Sequence, residues 1–252
     1  MSESMVRIVG ILIDSFWPLC RAALLYTIPL TIVSFACGTV LAFITAIFRL
    51  SGVRILEAVA KFYIWIIRGT PLLVQLFVIF YGLPSLGIVL SPFVSGVLGL
   101  SLCQGAYSSE IVRAAILAVP SGQLEAAKAL GMNQAQTYLR IVIPQAARTA
   151  VPSLGNQFIG LTKDTSLAGM LTIPELLQTG QQITAVVYEP LALYLEVAFI
   201  YLMMNTVLTV LQGKLEKRLK RQAERRWAVY ECSKRYFTGY PSAPYGAGAA
   251  TV

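Results

Sequence analysis

The sequence contains no histidine, only 13% charged residues, and no Cys-x-x-Cys pair among its four cysteines. Without histidine there are no imidazole metal ligands, no catalytic triad built on imidazole and no histidine proton relay, so the remaining function classes are mostly non-catalytic. Cys20, Cys37 and Cys103 lie in apolar sequence and Cys232 stands alone, so all four read as small hydrophobes and not as a disulfide framework or metal site. Soluble domains carry about a quarter charged residues. Here 56% of 252 residues are apolar and the mean hydropathy is +0.69, so the chain is better divided into membrane spans than into soluble domains. The net charge of +8 does not indicate a nucleic-acid surface, because seven of the twenty basic residues fall between Lys214 and Arg226.

Uncharged runs mark the spans. Residues 22–48 carry no charge, and neither do residues 69–109, a run interrupted by Gly82, Pro84, Gly87 and Pro92 that reads as two helices joined by a turn. Residues 149–173 are apolar apart from Lys163 and Asp164, and residues 191–211 apart from Glu196. The expectation is an all-α integral membrane protein with five transmembrane helices at about 19–48, 57–81, 93–119, 149–173 and 191–211, the first preceded by a short interfacial helix. Basic residues set the orientation. Arg49, Arg54, Lys128, Arg140, Arg148 and the Lys214–Arg226 cluster lie in one set of connections; residues 82–92 are uncharged and residues 174–190 hold only Glu175 and Glu189. The N-terminus is therefore expected outside and the C-terminus in the cytoplasm. Residues 1–226 form one transmembrane domain in this reading, and residues 227–252, rich in Tyr, Pro, Gly and Ala, a disordered cytoplasmic tail.

Residues 120–148 predict a helix, a glycine turn and a second helix. Pro120-Ser121 opens the first, Glu125 to Leu130 continues it with strong helix formers and Gly131 stops it; Asn133, with Gln136 three residues on, caps the next. A surface hairpin and a DNA-binding helix-turn-helix share this pattern, but a hairpin tethered between two spans is poorly placed to enter a major groove.

Glu125-Ala126-Ala127, then Gly131 after three intervening residues, then Ile141-Val142-Ile143-Pro144 after nine more, resembles the cytoplasmic EAA signature of permease subunits of ATP-binding-cassette importers, with Ile143 in place of the usual leucine. Arg68-Gly69-Thr70-Pro71-Leu72-Leu73-Val74-Gln75, and Gly155-Asn156-Gln157-Phe158-Ile159 with Lys163-Asp164-Thr165-Ser166-Leu167, look like the polar amino acid permeases of the histidine, glutamine, arginine and cystine group. The resemblance covers roughly residues 10–225. It implies a bacterial inner-membrane, multi-pass transport subunit that is not an enzyme. It also implies, as partners of this chain, two copies of an ATPase subunit, a second permease subunit, identical or related, a periplasmic or lipid-anchored amino-acid-binding protein and membrane lipid, with no nucleic acid. Glu125, Ala126, Ala127, Lys128 and Gly131 become the ATPase-docking residues. The chain itself has no phosphate loop, since Gly155 to Gly160 is followed by Leu161-Thr162 and not Lys-Ser/Thr, so it binds no cofactor and ATP with magnesium belongs to the partner.

Intramembrane polar groups supply the candidate substrate contacts. On one helix Gln157 and Asp164 are seven residues apart and share a face, with Asn156 beside them; Arg68 and Thr70 flank the disruption at Gly69–Pro71. The alternative for Lys163 and Asp164 is a solvated helix end, and for Arg68 snorkelling or a structural pair. Gln157 stands where some relatives that carry cationic amino acids have an acid, which favours cystine or glutamine as cargo. A self-sufficient secondary carrier is the alternative class; it needs no EAA hairpin and usually shows span repeats, which are not seen here.

Overall fold

The computed structural model describes residues 3–238, with side chains over residues 5–218, and every regular element in that range is helical. The chain divides into two compact units, the first ending at Thr209 and the second beginning at Val210. Within the first, α1 (Glu3–Ala22) runs through a π-helical turn, Ala23–Thr27, into α2 (Ile28–Leu50). Residues Met5–Leu50 thus form one helix of 46 residues and not a separate interfacial helix followed by a span. Then come α3 (Arg54–Gly69), α4 (Leu72–Phe77), a π turn at Val78–Gly82 and a 3-10 turn at Leu83–Leu86. α5 (Pro92–Leu117), α6 (Ser121–Ala129) and α7 (Gln134–Thr137) follow. After a π turn at Tyr138–Val142 the chain continues through α8 (Ile143–Asp164), a 3-10 segment at Thr165–Leu171, α9 (Leu176–Val187) and α10 (Pro190–Thr238).

The three π turns share a cause. Each ends two residues before a proline, at Pro29, Pro84 and Pro144. A proline cannot donate to the carbonyl four residues back, and widening the preceding turn accommodates the missing bond without breaking the rod.

Two helices are long and apolar enough to cross a membrane, Met5–Leu50 and Pro190–Arg218, and a third if α3 and the helical stretch Leu72–Leu86, bent by 106° at their junction, count as one. α5 and α8 have 26 and 22 residues but more polar compositions. α8 begins at Ile143, not at the expected 149, and stops at Asp164, so Lys163 and Asp164 stand exposed at a helix end. α9 lies in the segment 174–190 that was read only as an outer loop. α10 passes Trp227, where disorder was expected, and continues to Thr238; the rest of the tail, 239–252, lies outside the described residues.

The polar composition of α5 comes from what it packs against. On α2 the buried Ser34, Gly38, Ala42 and Ala46 recur every four residues, and on α5 Ser101, Gly105 and Ser109 do the same, so two small-residue seams meet. The approach is close enough that a Cβ on Gly38 would lie 2.8 Å from Gln104 Cβ. Across the seam Ser101 Oγ donates to Ser34 O at 3.2 Å. Near the ends of α2 and α5, Glu110 accepts from Arg49 Nη1 at 3.2 Å and from Arg113 Nη2 at 2.8 Å.

Two apolar cores organise the first unit. Leu30, Leu76, Leu100, Leu161, Leu171 and Ile173 join α2, α4, α5 and α8. Leu19, Ala23, Leu176, Val197 and Ile200 join the first rod, α9 and α10. Large apolar side chains on the outside, among them Ile55, Phe62 and Trp65 of α3 and Leu202 of α10, are exposed, an arrangement suited to a lipid solvent.

Candidate functional site

α3 must end where it does. Proline at 71 disfavours helical geometry for the residue before it, and Thr70 is extended at φ −122°, ψ 146°. The break strands carbonyls of the last turn of α3, and the elbow satisfies them itself: Thr70 Oγ1 donates to Ile66 O at 2.9 Å, while Gln75 Nε2 lies 2.8 Å from Ile67 O, 3.1 Å from Thr70 O and 2.9 Å from Thr70 Oγ1. The Thr70 hydroxyl, named from sequence as a substrate contact, is thereby committed to the elbow. Gln75, which ends the Arg68–Gln75 stretch but is not among the site residues expected from sequence, holds this elbow together. Its one signal was a lone amide in an apolar run, four residues after Pro71.

Arg68, on the last turn of α3, places its guanidinium carbon 5.1 Å from the ring centroid of Tyr107 on α5. One turn back on α5, Cys103 lies within electrostatic reach of Asp164, the last residue of α8. α5 therefore has a guanidinium against its Tyr107 and, one turn back, a cysteine within electrostatic reach of a carboxylate. Nothing in the sequence placed Arg68 and Asp164 near a common element. Gln157 is half-buried two turns before Asp164 on the same unbroken helix, next to Phe158, whose ring packs edge-on against Phe35 of α2 at 5.0 Å. Asn156 is exposed and Lys163, beside Asp164, is exposed as well.

A second candidate site lies between α5 and α8. Gly131 has φ +73° after α6, a left-handed conformation costly to any residue with a Cβ, and Met132 N donates back to Ala127 O at 3.0 Å. Asn133 Oδ1 accepts from Gln136 N at 2.8 Å and Gln136 Oε1 from Asn133 N at 3.1 Å, a complete capping box. The second helix passes through the π turn at Tyr138–Val142 and on through Pro144 into α8. Glu125, Ala126 and Lys128 are exposed. Ala127 differs from the expectation: it is 1% exposed, buried within its own chain, and offers no surface to a partner. Leu130, not singled out from sequence, is 81% exposed.

Residues 38–221 match the family described as the inner membrane component of binding-protein-dependent transport systems. The chain belongs to this family. The permease is 49% identical over 209 residues to the L-cystine transport system permease protein TcyB of Bacillus subtilis, covering 82% of this chain and 89% of that one. It is 40% identical over 221 residues to the arginine transport system permease protein ArgU of Corynebacterium glutamicum, covering 81% of this chain and 69% of that one. Among solved structures, a crystal structure of an amino acid ABC transporter with histidines matches at a TM-score of 0.74 and 34% identity, over 85% of this chain and 97% of that one. The permease is thus the inner-membrane subunit of an amino acid ABC importer, a transport component and not a catalyst, and its family implies an ATPase and a substrate-binding protein as partners.

Proposed function

We propose that this permease passes a polar, uncharged amino acid, cystine or glutamine ahead of cationic ones, from a binding protein into the cytoplasm, driven by ATP hydrolysis on two copies of a separate ATPase. The observation that supports the reading is Arg68 stacked on Tyr107 of α5, with Asp164 within electrostatic reach of Cys103 one turn back. An amino acid is a carboxylate and an ammonium on one carbon, and a cation and an anion at one helix face complement it. Gln157, further along α8, both donates and accepts and suits an uncharged polar side chain. The likeness to TcyB supports cystine as cargo.

The chain crosses the membrane five times in this proposal, with α5 and α8 among the spans, the N-terminus outside and the C-terminus inside. α6 and the turn at Gly131 dock on the ATPase through Glu125, Ala126, Lys128 and Leu130. ATP and magnesium sit on that partner, and a second permease, identical or related, completes the pathway. Uptake of radiolabelled L-cystine, L-glutamine and L-arginine by cells holding the full importer, each competed by the other two, tests the cargo. Uptake that favours arginine overturns the assignment, and uptake that survives inactivation of the ATPase overturns the coupling.

A further inference from the structure

A groove between α1 and α10 lies apart from the site described above. Its cavity measures about 830 Å³, with Leu12 and Phe16 of α1 and Leu195 and Phe199 of α10 among its walls. Leu195 and Phe199 are 61% and 54% exposed, so the groove opens on the side where a membrane protein meets lipid. Along α1 it runs from Ile8 to Phe16, about 12 Å at 1.5 Å per residue and close to half of a ~30 Å hydrocarbon core. That depth takes one acyl chain from one leaflet.

Charge is concentrated at this groove. Glu189, whose carbonyl accepts from Leu193 N at 3.2 Å as α10 begins, and Glu196, two turns on, both line it. Glu196 accepts from Ser15 Oγ and has no cationic partner among the described residues. Arg7, next to Ile8 at the rim, donates to Val187 O at 3.3 Å and stands 3.8 Å from Glu189, near enough to attract and too far to hydrogen-bond. Its side chain is 64% exposed, so most of its N–H donors are open to a ligand.

A guanidinium beside a carboxylate, above an apolar groove, is the complement of a headgroup that carries a phosphate and an ammonium. Phosphatidylglycerol brings the phosphate without the ammonium and sets an anion against both acids. Phosphatidylcholine brings a cation with no N–H to donate. Phosphatidylethanolamine brings both partners.

We propose that the α1–α10 groove is a binding site for phosphatidylethanolamine in the leaflet on the side of Arg7. The phosphate sits on Arg7, the ammonium on Glu189, and one acyl chain lies along Leu12, Phe16, Leu195 and Phe199. Glu196, further down, makes the groove more negative and so disfavours an anionic headgroup.

The test is native mass spectrometry of the complete importer, permease with its ATPase, titrated in detergent with dioleoyl phosphatidylethanolamine, phosphatidylcholine and phosphatidylglycerol. The wild type binds phosphatidylethanolamine with a dissociation constant about fivefold below those of the other two. Glu189→Gln removes this preference by weakening phosphatidylethanolamine alone, whereas Arg7→Gln weakens all three about fivefold because all carry the phosphate. Ala192→Trp fills the groove, where Ala192 is part of the lining, leaves every charge in place and abolishes the preference. If that variant fails to assemble, the two charge variants decide alone. Equal affinity of the wild type for the three lipids overturns the inference, and so does a preference that persists in Glu189→Gln. Disulfide cross-linking of one permease chain to another through Ala192→Cys in native membranes also overturns it, by assigning the groove to a second copy.

Discussion

The Ser15 hydroxyl of α1 donates to Glu196 Oε2 of α10 across 2.5 Å, joining helices from opposite ends of the chain. A carboxylate in an apolar span needs such a partner. Ser15→Ala leaves Glu196 without this donor and lowers stability by about 1–3 kcal/mol, seen as a lower melting temperature in detergent. Ser15→Ala with Glu196→Leu removes both polar groups and recovers most of that loss. A double variant as unstable as the single one would show that Glu196 has work beyond this bond.

Gln75 should tolerate no substitution that removes its amide protons. Gln75→Leu leaves the Ile67 and Thr70 carbonyls without their donor, at about 1–3 kcal/mol for each group left unmade. Gln75→Glu is at least as damaging, because an ionised carboxylate cannot donate and faces two carbonyl oxygens. Melting curves on purified protein rank the two, and a Glu variant as stable as wild type would remove Gln75 from the elbow.

At the candidate docking surface, Gly131→Val places a β-branched residue at φ +73°, at a cost of about 1–2 kcal/mol for left-handed geometry, and redirects the turn. Leu130→Asp changes only an exposed side chain. Both are expected to lower co-purification of the ATPase and to lower uptake in proportion, with normal amounts of permease in the membrane. Undiminished ATPase recovery with Leu130→Asp would place docking elsewhere.

Selectivity provides the sharpest test of the substrate face. Gln157→Glu adds a second carboxylate two turns from Asp164 and shifts competition toward arginine and lysine. Asp164→Asn loses a charge-assisted hydrogen bond of about 1.5–3 kcal/mol, a roughly tenfold to hundredfold rise in apparent KM. Wild-type selectivity and affinity in both variants would move the substrate site off α8.

Much of this was legible in the sequence because it is local. The proline-bounded start of α5, the cap at Asn133 and the glycine turn at 131 are set by residues within a few positions of one another. The pairing of Gln157 with Asp164 on one face follows from helical periodicity alone. What escaped depends on long-range packing. Glu175 reads as a loop acid until Tyr201 comes to it across 26 positions, and Ala127 reads as a contact surface until its own chain covers it. Arg68 meets Tyr107 across 39 positions, beside the break that ends α3.

The small, hydroxyl-bearing face of α5 also bears on how the protein is made. Ser95, Ser101, Gln104, Ser108 and Ser109 are buried against other helices and not turned to lipid, so α5 is a poor guest for the bilayer alone and a good one beside α2. The first rod, long and strongly apolar, needs no such help. In the proposed five-span topology, α5 is therefore expected to leave the insertion machinery against α2, which enters first. A residue that adds bulk at Gly38 will then appear as a fault of α5, degraded before the permease reaches its partners.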